Sequence, residues 1–278
     1  MSRKNAARIA IIGLGNMGSA LLRGILQARV AAPEDVIVTA RTPSRLEEAR
    51  RRFGVRTTSD NALAARESNT LLLCIKPQNF SQVAEDLRGE LGQDHLVVSI
   101  LAGKTTREIE EHLRPPESEV RLPVIRVMPN IPVMVDAGCS PFARGEHVLD
   151  EHVELVRAIL GAVGEAPEVA EHLMDAVTGL SGSGPAYVYM MIEALTDGGV
   201  KMGLPRDVSI RLAAQTIYGA ALVVKETGLH PAILRDQVTT PGGTAIAAIS
   251  DLEARGLRPM LISAVVTATK RSAELSGA

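Results

Sequence analysis

Short apolar runs alternate with amphipathic stretches through the first half of the chain. Ala7 to Ile12 has no polar interruption and reads as a strand; Met17 to Arg29, apolar along one side, reads as a helix. The same alternation predicts strands at Val36 to Ala40, Thr70 to Ile75, His95 to Ile100 and Val124 to Met128, with a short one at Val55 to Thr57. Helices are expected at Pro43 to Phe53, after Gln78 and after Lys104. A weak strand near Gly138 to Ala143 precedes a helix at Glu151 to Val163. Strands alternating with helices predict βαβ units and a mostly parallel sheet with helices on both faces.

After about Pro167 strand signals stop and helix follows helix, each opened or closed by Gly or Pro. The expected helices are Pro185 to Met202, Pro205 to Thr227, Thr244 to Arg255 and Pro259 to Leu275, with a short turn at Pro231 to Gln237. AYVYMMIEAL and much of LAAQTIYGAALVV are apolar on nearly every side, and such helices must be buried. A span this short offers little room to hide several of them, so self-association through these helices is expected, as a dimer or a multiple of dimers. The predicted organisation is an α/β domain over 1–166 and an all-α dimerisation and substrate domain over 167–278.

Composition narrows the function. The 278 residues are 46% hydrophobic and 22% charged, as in a soluble globular protein. With 30 basic against 32 acidic residues there is no excess to neutralise a phosphate backbone. Three Phe, three Tyr and no Trp make a poor base-stacking platform, so no nucleic-acid partner is expected. The start, MSRKNAARIAIIGLG, has an apolar run too short for a leader, and it breaks at once into glycines. No stretch reaches the roughly eighteen apolar residues of a membrane span, so no membrane partner is expected. Two cysteines, Cys74 and Cys139, form neither a disulfide framework nor a zinc spacing. No metal and a cytoplasmic setting are expected.

The first chemical signal is Gly13-Leu14-Gly15-Asn16-Met17-Gly18, which follows a strand and opens a helix. Gly13 permits the tight turn, Gly15 lets a pyrophosphate approach the backbone, and Gly18 allows close helix–strand packing. The amides at the helix start face the anion. This is a Rossmann-like dinucleotide site. An NAD site places Asp or Glu about 20 residues on, at the end of the second strand, to bind the ribose. Here Arg41 stands there, with Arg45 one helical turn further on. A guanidinium matches a 2′-phosphate in a bidentate way, so NADPH is the expected cofactor, with NADH possible. Lys76, in the loop Cys74-Ile75-Lys76-Pro77-Gln78, either touches the cofactor or is an ordinary loop lysine.

Two glycine-rich turns follow in the helical half: Gly179-Leu180-Ser181-Gly182-Ser183-Gly184-Pro185, and Thr239-Thr240-Pro241-Gly242-Gly243-Thr244-Ala245. Each is read as offering open backbone N–H groups and hydroxyls at a helix start, a site for a small anion such as a carboxylate.

On these residues the chain resembles the pyrroline-5-carboxylate reductase family. GLSGSGPAYVYMMIEALTDGGVKMGL, Gly179 to Leu204, is similar to that family's helical block almost residue for residue. VTTPGG resembles its signature loop, Arg126-Val127-Met128-Pro129-Asn130 its RVMPN segment, and Ile75 to Gln78 its IKPQ loop. The resemblance implies a Rossmann domain, a helical dimerisation domain, NAD(P)H as hydride donor and an active site shared between subunits. It places the pyrophosphate at Gly13, Gly15, Asn16, Met17 and Gly18, with Arg41 and Asn61 by the adenosine ribose. Lys76 and Pro77 would lie near the ribose and nicotinamide, and Pro129 and Asn130 would shape the nicotinamide pocket. The backbone from Thr240 through Pro241, Gly242, Gly243 and Thr244 to Ala245 would hold the substrate carboxylate, with Ser181 and Gly182 near the ring. The chain departs from the family at Ile131 and Ala245, where it usually has Thr.

The implied reaction is NADPH-dependent reduction of the small cyclic imine 1-pyrroline-5-carboxylate to L-proline, by hydride addition to the C=N carbon. A protonated imine needs no strong acid beside it, which suits six His in no site pattern. The hydroxyls of Thr239, Thr240 and Thr244 are the candidate catalytic groups. Rivals are a reductase of another imino or oxo acid and a non-catalytic NADPH-binding paralogue. A β-hydroxyacid dehydrogenase would need Lys with Asn four residues on; here Lys201 is followed by Pro205, Lys225 by Leu229 and Lys270 by Glu274.

Overall fold

The computed structural model describes residues 7–115 and 117–276. Met1 to Ala6, the start of the stretch read as too short for a leader, lie outside the described residues. Strand and helix alternate as β1 (Ile9–Ile12), α1 (Asn16–Gln27), β2 (Val36–Thr39), α2 (Pro43–Phe53), β3 (Arg56–Thr58), α3 (Asn61–Arg66) and β4 (Thr70–Leu73). Next come α4 (Phe80–Leu87), β5 (Leu96–Ser99), α5 (Thr106–Leu113) and β6 (Val124–Val127). Beyond them lie β7 (Gly138–Cys139), β8 (Phe142–Arg144), α6 (Asp150–Gly161) and β9 (Gly164–Glu165).

The main sheet runs β3-β2-β1-β4-β5-β6-β8, parallel except for β8, which lies antiparallel beside β6. Ile9 faces Val36 on one side and Thr70 on the other, so strand order reverses at β1. A crevice for ligands opens at such a reversal, outside the carboxyl ends of the strands. Successive side chains of a strand point to opposite faces, and both faces are covered here. Ile9 and Ile11 join a core with Leu21, Ile25 and Val156, while Ala10 and Ile12 join another with Phe80, Leu87 and Ile109. That is why IAII carries no polar residue.

The single strand expected over Gly138 to Ala143 is two. Pro141 cannot donate to a ladder, and the chain changes sheets there: β7 pairs with β9 in a separate two-stranded sheet, β8 with β6. α3 and α7 (Met174–Val177) carry no helical period because they are six and four residues long. The chain divides into two compact units after Gly182, with the segment from Ala268 returning to the first. The border expected at 166/167 lies short of that division. The intervening segment bonds to the sheet edge, Phe142 donating to the Pro167 carbonyl (3.0 Å) and Val169 to that of Phe142 (2.9 Å). Ser272 Oγ donates to Asp175 (2.6 Å) and ties the end of the chain to the same unit.

The second unit contains α8 (Gly184–Lys201), α9 (Arg206–Thr227), α10 (Pro231–Gln237), α11 (Thr244–Ala254) and the first part of α12 (Leu257–Ser276). α10 replaces the expected turn: Pro231 needs no N–H partner in a first turn, and His230 Nδ1 caps it by accepting from Ala232 (3.2 Å). α8 and α9 meet where Gly199 leaves room for Ser209, whose hydroxyl donates to the Thr196 carbonyl (2.7 Å). Apolar side chains remain exposed along these helices, Met190 at 70% and Ile262 at 61%. α9 is long and apolar enough, by length and composition, to cross a membrane. The sequence showed no unbroken apolar run of that length because polar residues such as Arg211 and Gln215 interrupt it.

Candidate functional site

The glycine loop sits at the reversal point. Gly13 has φ +97°, and a Cβ there would lie 2.8 Å from the Cys74 carbonyl oxygen. A Cβ at Gly18 would run into the Gly13 carbonyl and come within 3.3 Å of Cys74 Cβ. At Gly15 a Cβ would meet nothing within 4 Å. Two glycines therefore close the packing, and the third leaves the backbone bare toward solvent. Gly15 caps α1 without a side-chain bond, and the first turn of α1 holds no acidic residue. Its leading N–H groups have no intrahelical acceptor, which suits them to a pyrophosphate.

The loop is stitched to β2: Gly13 N and Leu14 N both donate to the Thr39 carbonyl (3.2 and 3.0 Å). Thr39 escapes sequence reasoning, because the stronger contacts are to its carbonyl, which any residue would supply, with Gly13 N donating secondarily to its Oγ1 (3.3 Å). Beyond it Arg41 is exposed, and no carboxylate stands in its place. Arg45 Nη1 donates to the Leu14 carbonyl (2.9 Å). Asn61 Nδ2 donates to Asp86 (2.9 Å). Lys76 and Pro77 are exposed just beyond β4. Cys74, beneath the loop, is buried and its thiol is pushed up to about 12 by that burial, so it serves as packing.

Asn130 joins two predicted segments. Its Oδ1 accepts from Cys139 N (2.8 Å), and its Nδ2 donates to the Ser181 carbonyl (3.2 Å). Pro129 beside it is buried. A Cβ at Gly182 would lie 2.8 Å from Met128 Cε, so glycine permits this approach. The sequence predicts an open turn around Ser181; the structure instead winds Thr178–Gly182 as a π-helix, and Ser183 has helical φ and ψ of −86° and −20°. Widened turns of this kind occur frequently at functional sites.

In the second unit Thr240 to Gly243 form a tight turn, Gly243 N donating to the Thr240 carbonyl (2.9 Å) and Gly242 at φ +70°. A Cβ on Gly243 would strike the Thr240 hydroxyl. α11 opens directly after, capped by Gly243 without a side-chain bond, so its first amides are open for an anion. Thr239 Oγ1 donates to the Arg235 carbonyl (2.8 Å), whereas Thr240, Pro241 and Thr244 are exposed and Ala245 is half-buried. On α8, Asp197 pairs with Arg206 (2.9 Å) at the surface. No group of three or more His, Cys, Asp or Glu among the described residues is placed to hold a metal.

Comparison with known proteins adds to this geometry. Residues 171–275 match the family model described as pyrroline-5-carboxylate reductase dimerisation. Residues 8–103 match that described as NADP oxidoreductase coenzyme F420-dependent. The chain is 42% identical to the pyrroline-5-carboxylate reductase of Methanosarcina acetivorans over 268 residues, covering 96% of this chain and 97% of that one. Among solved structures it is similar to a pyrroline-5-carboxylate reductase from Coxiella burnetii, with TM-score 0.91, 34% identity and coverage of 98% and 99%. It is also similar to the Plasmodium falciparum pyrroline carboxylate reductase solved with NADP bound, with TM-score 0.84, 29% identity and coverage of 99% and 100%.

Proposed function

The chain belongs to the pyrroline-5-carboxylate reductase family, and on that premise we propose how its own residues divide the work. The enzyme reduces 1-pyrroline-5-carboxylate to L-proline with NADPH, the last step of proline biosynthesis. The observation that carries this is the match to relatives of that activity along nearly the whole chain. When bound, the reduced nicotinamide supplies a hydride for the C=N carbon.

The remaining tasks fall to the protein. Gly13, Gly15, Asn16, Met17 and Gly18 present the backbone that holds the pyrophosphate. The exposed Arg41 pairs with the 2′-phosphate, which favours NADPH over NADH. Asn61, Lys76 and Pro77 border the ribose side, and Pro129 and Asn130 the nicotinamide side. The amides at the head of α11, from Thr240 through Pro241, Gly242 and Gly243 to Ala245, grip the substrate carboxylate, and Ser181 and Gly182 border its ring. Orienting the two reactants in this way supplies the main rate enhancement, up to about 7–11 kcal/mol for such effects.

Thr239 has committed its hydrogen to Arg235. Thr240 Oγ1 and Thr244 Oγ1 are then the hydroxyls that hold the proton for the ring nitrogen, directly or through a water. Ala245 offers none.

The chain self-associates, and we place that contact on α8 to α12, within the dimerisation and substrate region 167–278; the cofactor region is 1–166. The absence of a basic excess argues against a nucleic-acid partner, and two free cysteines suit a reducing cytoplasm. The exposed apolar side chains of α8 to α12 serve self-association rather than a membrane. Steady-state loss of NADPH with 1-pyrroline-5-carboxylate is the test. Turnover is expected, faster with NADPH than with NADH. Tight NADPH binding without turnover of any cyclic imine would overturn the assignment.

A further inference from the structure

Arg41 and Arg45 stand one helical turn apart, and sequence alone gives both the same use, an arm for the 2′-phosphate. The structure separates them. Arg41 is exposed beyond the end of β2. Arg45 turns back, and its Nη1 donates to the Leu14 carbonyl at 2.9 Å, 31 residues earlier in the chain. Leu14 is itself 6% exposed, and its N–H is held by the Thr39 carbonyl at 3.0 Å. Leu14 is thus pinned on both sides of its Cα: by β2 through its N–H and by α2 through its carbonyl. It lies between Gly13 and Gly15, so the pinned peptide is the one that sets the course of the cradle. Gly15 contributes no side-chain packing to hold that course, since even an added Cβ there would touch nothing within 4 Å.

We propose that Arg45 is a positioning residue: it braces the glycine loop through the Leu14 carbonyl and so orders the pyrophosphate cradle for NADPH and NADH alike, leaving discrimination between them to Arg41. This rests on the assignment of that loop to the cofactor. The physical reason is that a loop ordered before binding loses less freedom on binding. The pyrophosphate is common to both cofactors, so the benefit is common too.

The test measures NADPH and NADH dissociation constants, by nicotinamide fluorescence, on the full-length enzyme carrying Arg45→Met, Arg45→Lys or Arg41→Gln. High salt is used so that charges acting through solvent are screened. Arg45 lines a groove between α1 and α2; Met keeps an unbranched apolar stem of similar reach there, while Lys restores a donor. Arg45→Met is expected to weaken both cofactors by about threefold to tenfold, the range for losing one ordinary net hydrogen bond, the guanidinium's charge being screened by its exposure to solvent. Their ratio should stay put, the melting temperature of the free enzyme should fall by no more than about 2–4 °C, and Arg45→Lys should recover part of the loss for both. Arg41→Gln should change the ratio instead. If Arg45→Met weakens NADPH alone, Arg45 reads the 2′-phosphate and the brace is refuted; unchanged affinity for both also refutes it. The cradle assignment fails separately: Gly15→Val, which adds bulk only toward the cradle, would then leave both affinities intact.

Discussion

Gly15, the cap of α1, and Gly18, in its first turn, are three positions apart, yet a side chain added at each meets opposite surroundings. At Gly15 it would project into open space, and at Gly18 it would collide with the Gly13 carbonyl. Gly15→Val should therefore leave the free enzyme's stability within about 1 kcal/mol, as for surface changes, while raising the NADPH dissociation constant at least about tenfold. Gly18→Val should destabilise the fold by about 1–3 kcal/mol through overpacking. Chemical denaturation beside cofactor titration separates the two; equal loss of stability in both variants would contradict the division of roles.

Cys74 makes a second residue-scale argument, about pH. Burial raises its thiol from 9.0 to about 12 in the folded chain. Above pH 9 the unfolded chain gives up this proton and the folded chain keeps it. Stability from this group is therefore complete below pH 9 and falls as pH rises toward 12. Cys74→Ala should remove that slope, which approaches about 1.4 kcal/mol per pH unit. Urea melts of both proteins at pH 8 and at about pH 10 would check it; parallel losses would place the alkaline sensitivity elsewhere.

Among the elements, the head of α11 carries the sharpest consequence. The turn from Thr240 to Gly243 is held by one backbone bond and cannot admit a Cβ at its last glycine without moving Thr240. Gly243→Val should open the turn, misaim the first amides of α11 and raise the KM for 1-pyrroline-5-carboxylate at least about tenfold. Cofactor affinity should hold, because the glycine loop belongs to the other unit. Loss of both would mean misfolding, and loss of neither would free this turn from the carboxylate role. The segment Thr178–Gly182 teaches a different lesson about elements. Its glycines read as a loop in sequence, but the structure accommodates them in a π-helix whose Ser181 carbonyl is taken by Asn130.

For the whole molecule the second unit is the telling part. α10, α11 and α12 bury no residue among those described, and α8 buries only Thr196. Helices this apolar and this uncovered need a partner, and the dimerisation match names its kind, a second copy. Sedimentation should show a dimer or a multiple of one, without a stable monomer at micromolar concentration. A compact monomer that keeps full activity would contradict the placement of the interface on α8 to α12.

The sequence by itself determined the alternation of β1 to β6 with their longer helices, the glycine-rich turn at the head of α1 and the absence of a carboxylate after β2, because each is written in local spacing; α3, α7 and β9 are too short to be read that way. It also showed the helical second half and its apolar excess, which is a matter of composition along the chain. Tertiary structure alone decided what depends on neighbours distant in sequence. It split the strand at Pro141 between two sheets, because each half found a different partner. It kept residues 167–182 with the first unit, because the edge of the sheet offered them bonds. And it set Arg45 apart from Arg41, because only the fold brings a carbonyl 31 residues away within reach of one guanidinium and leaves the other in solvent.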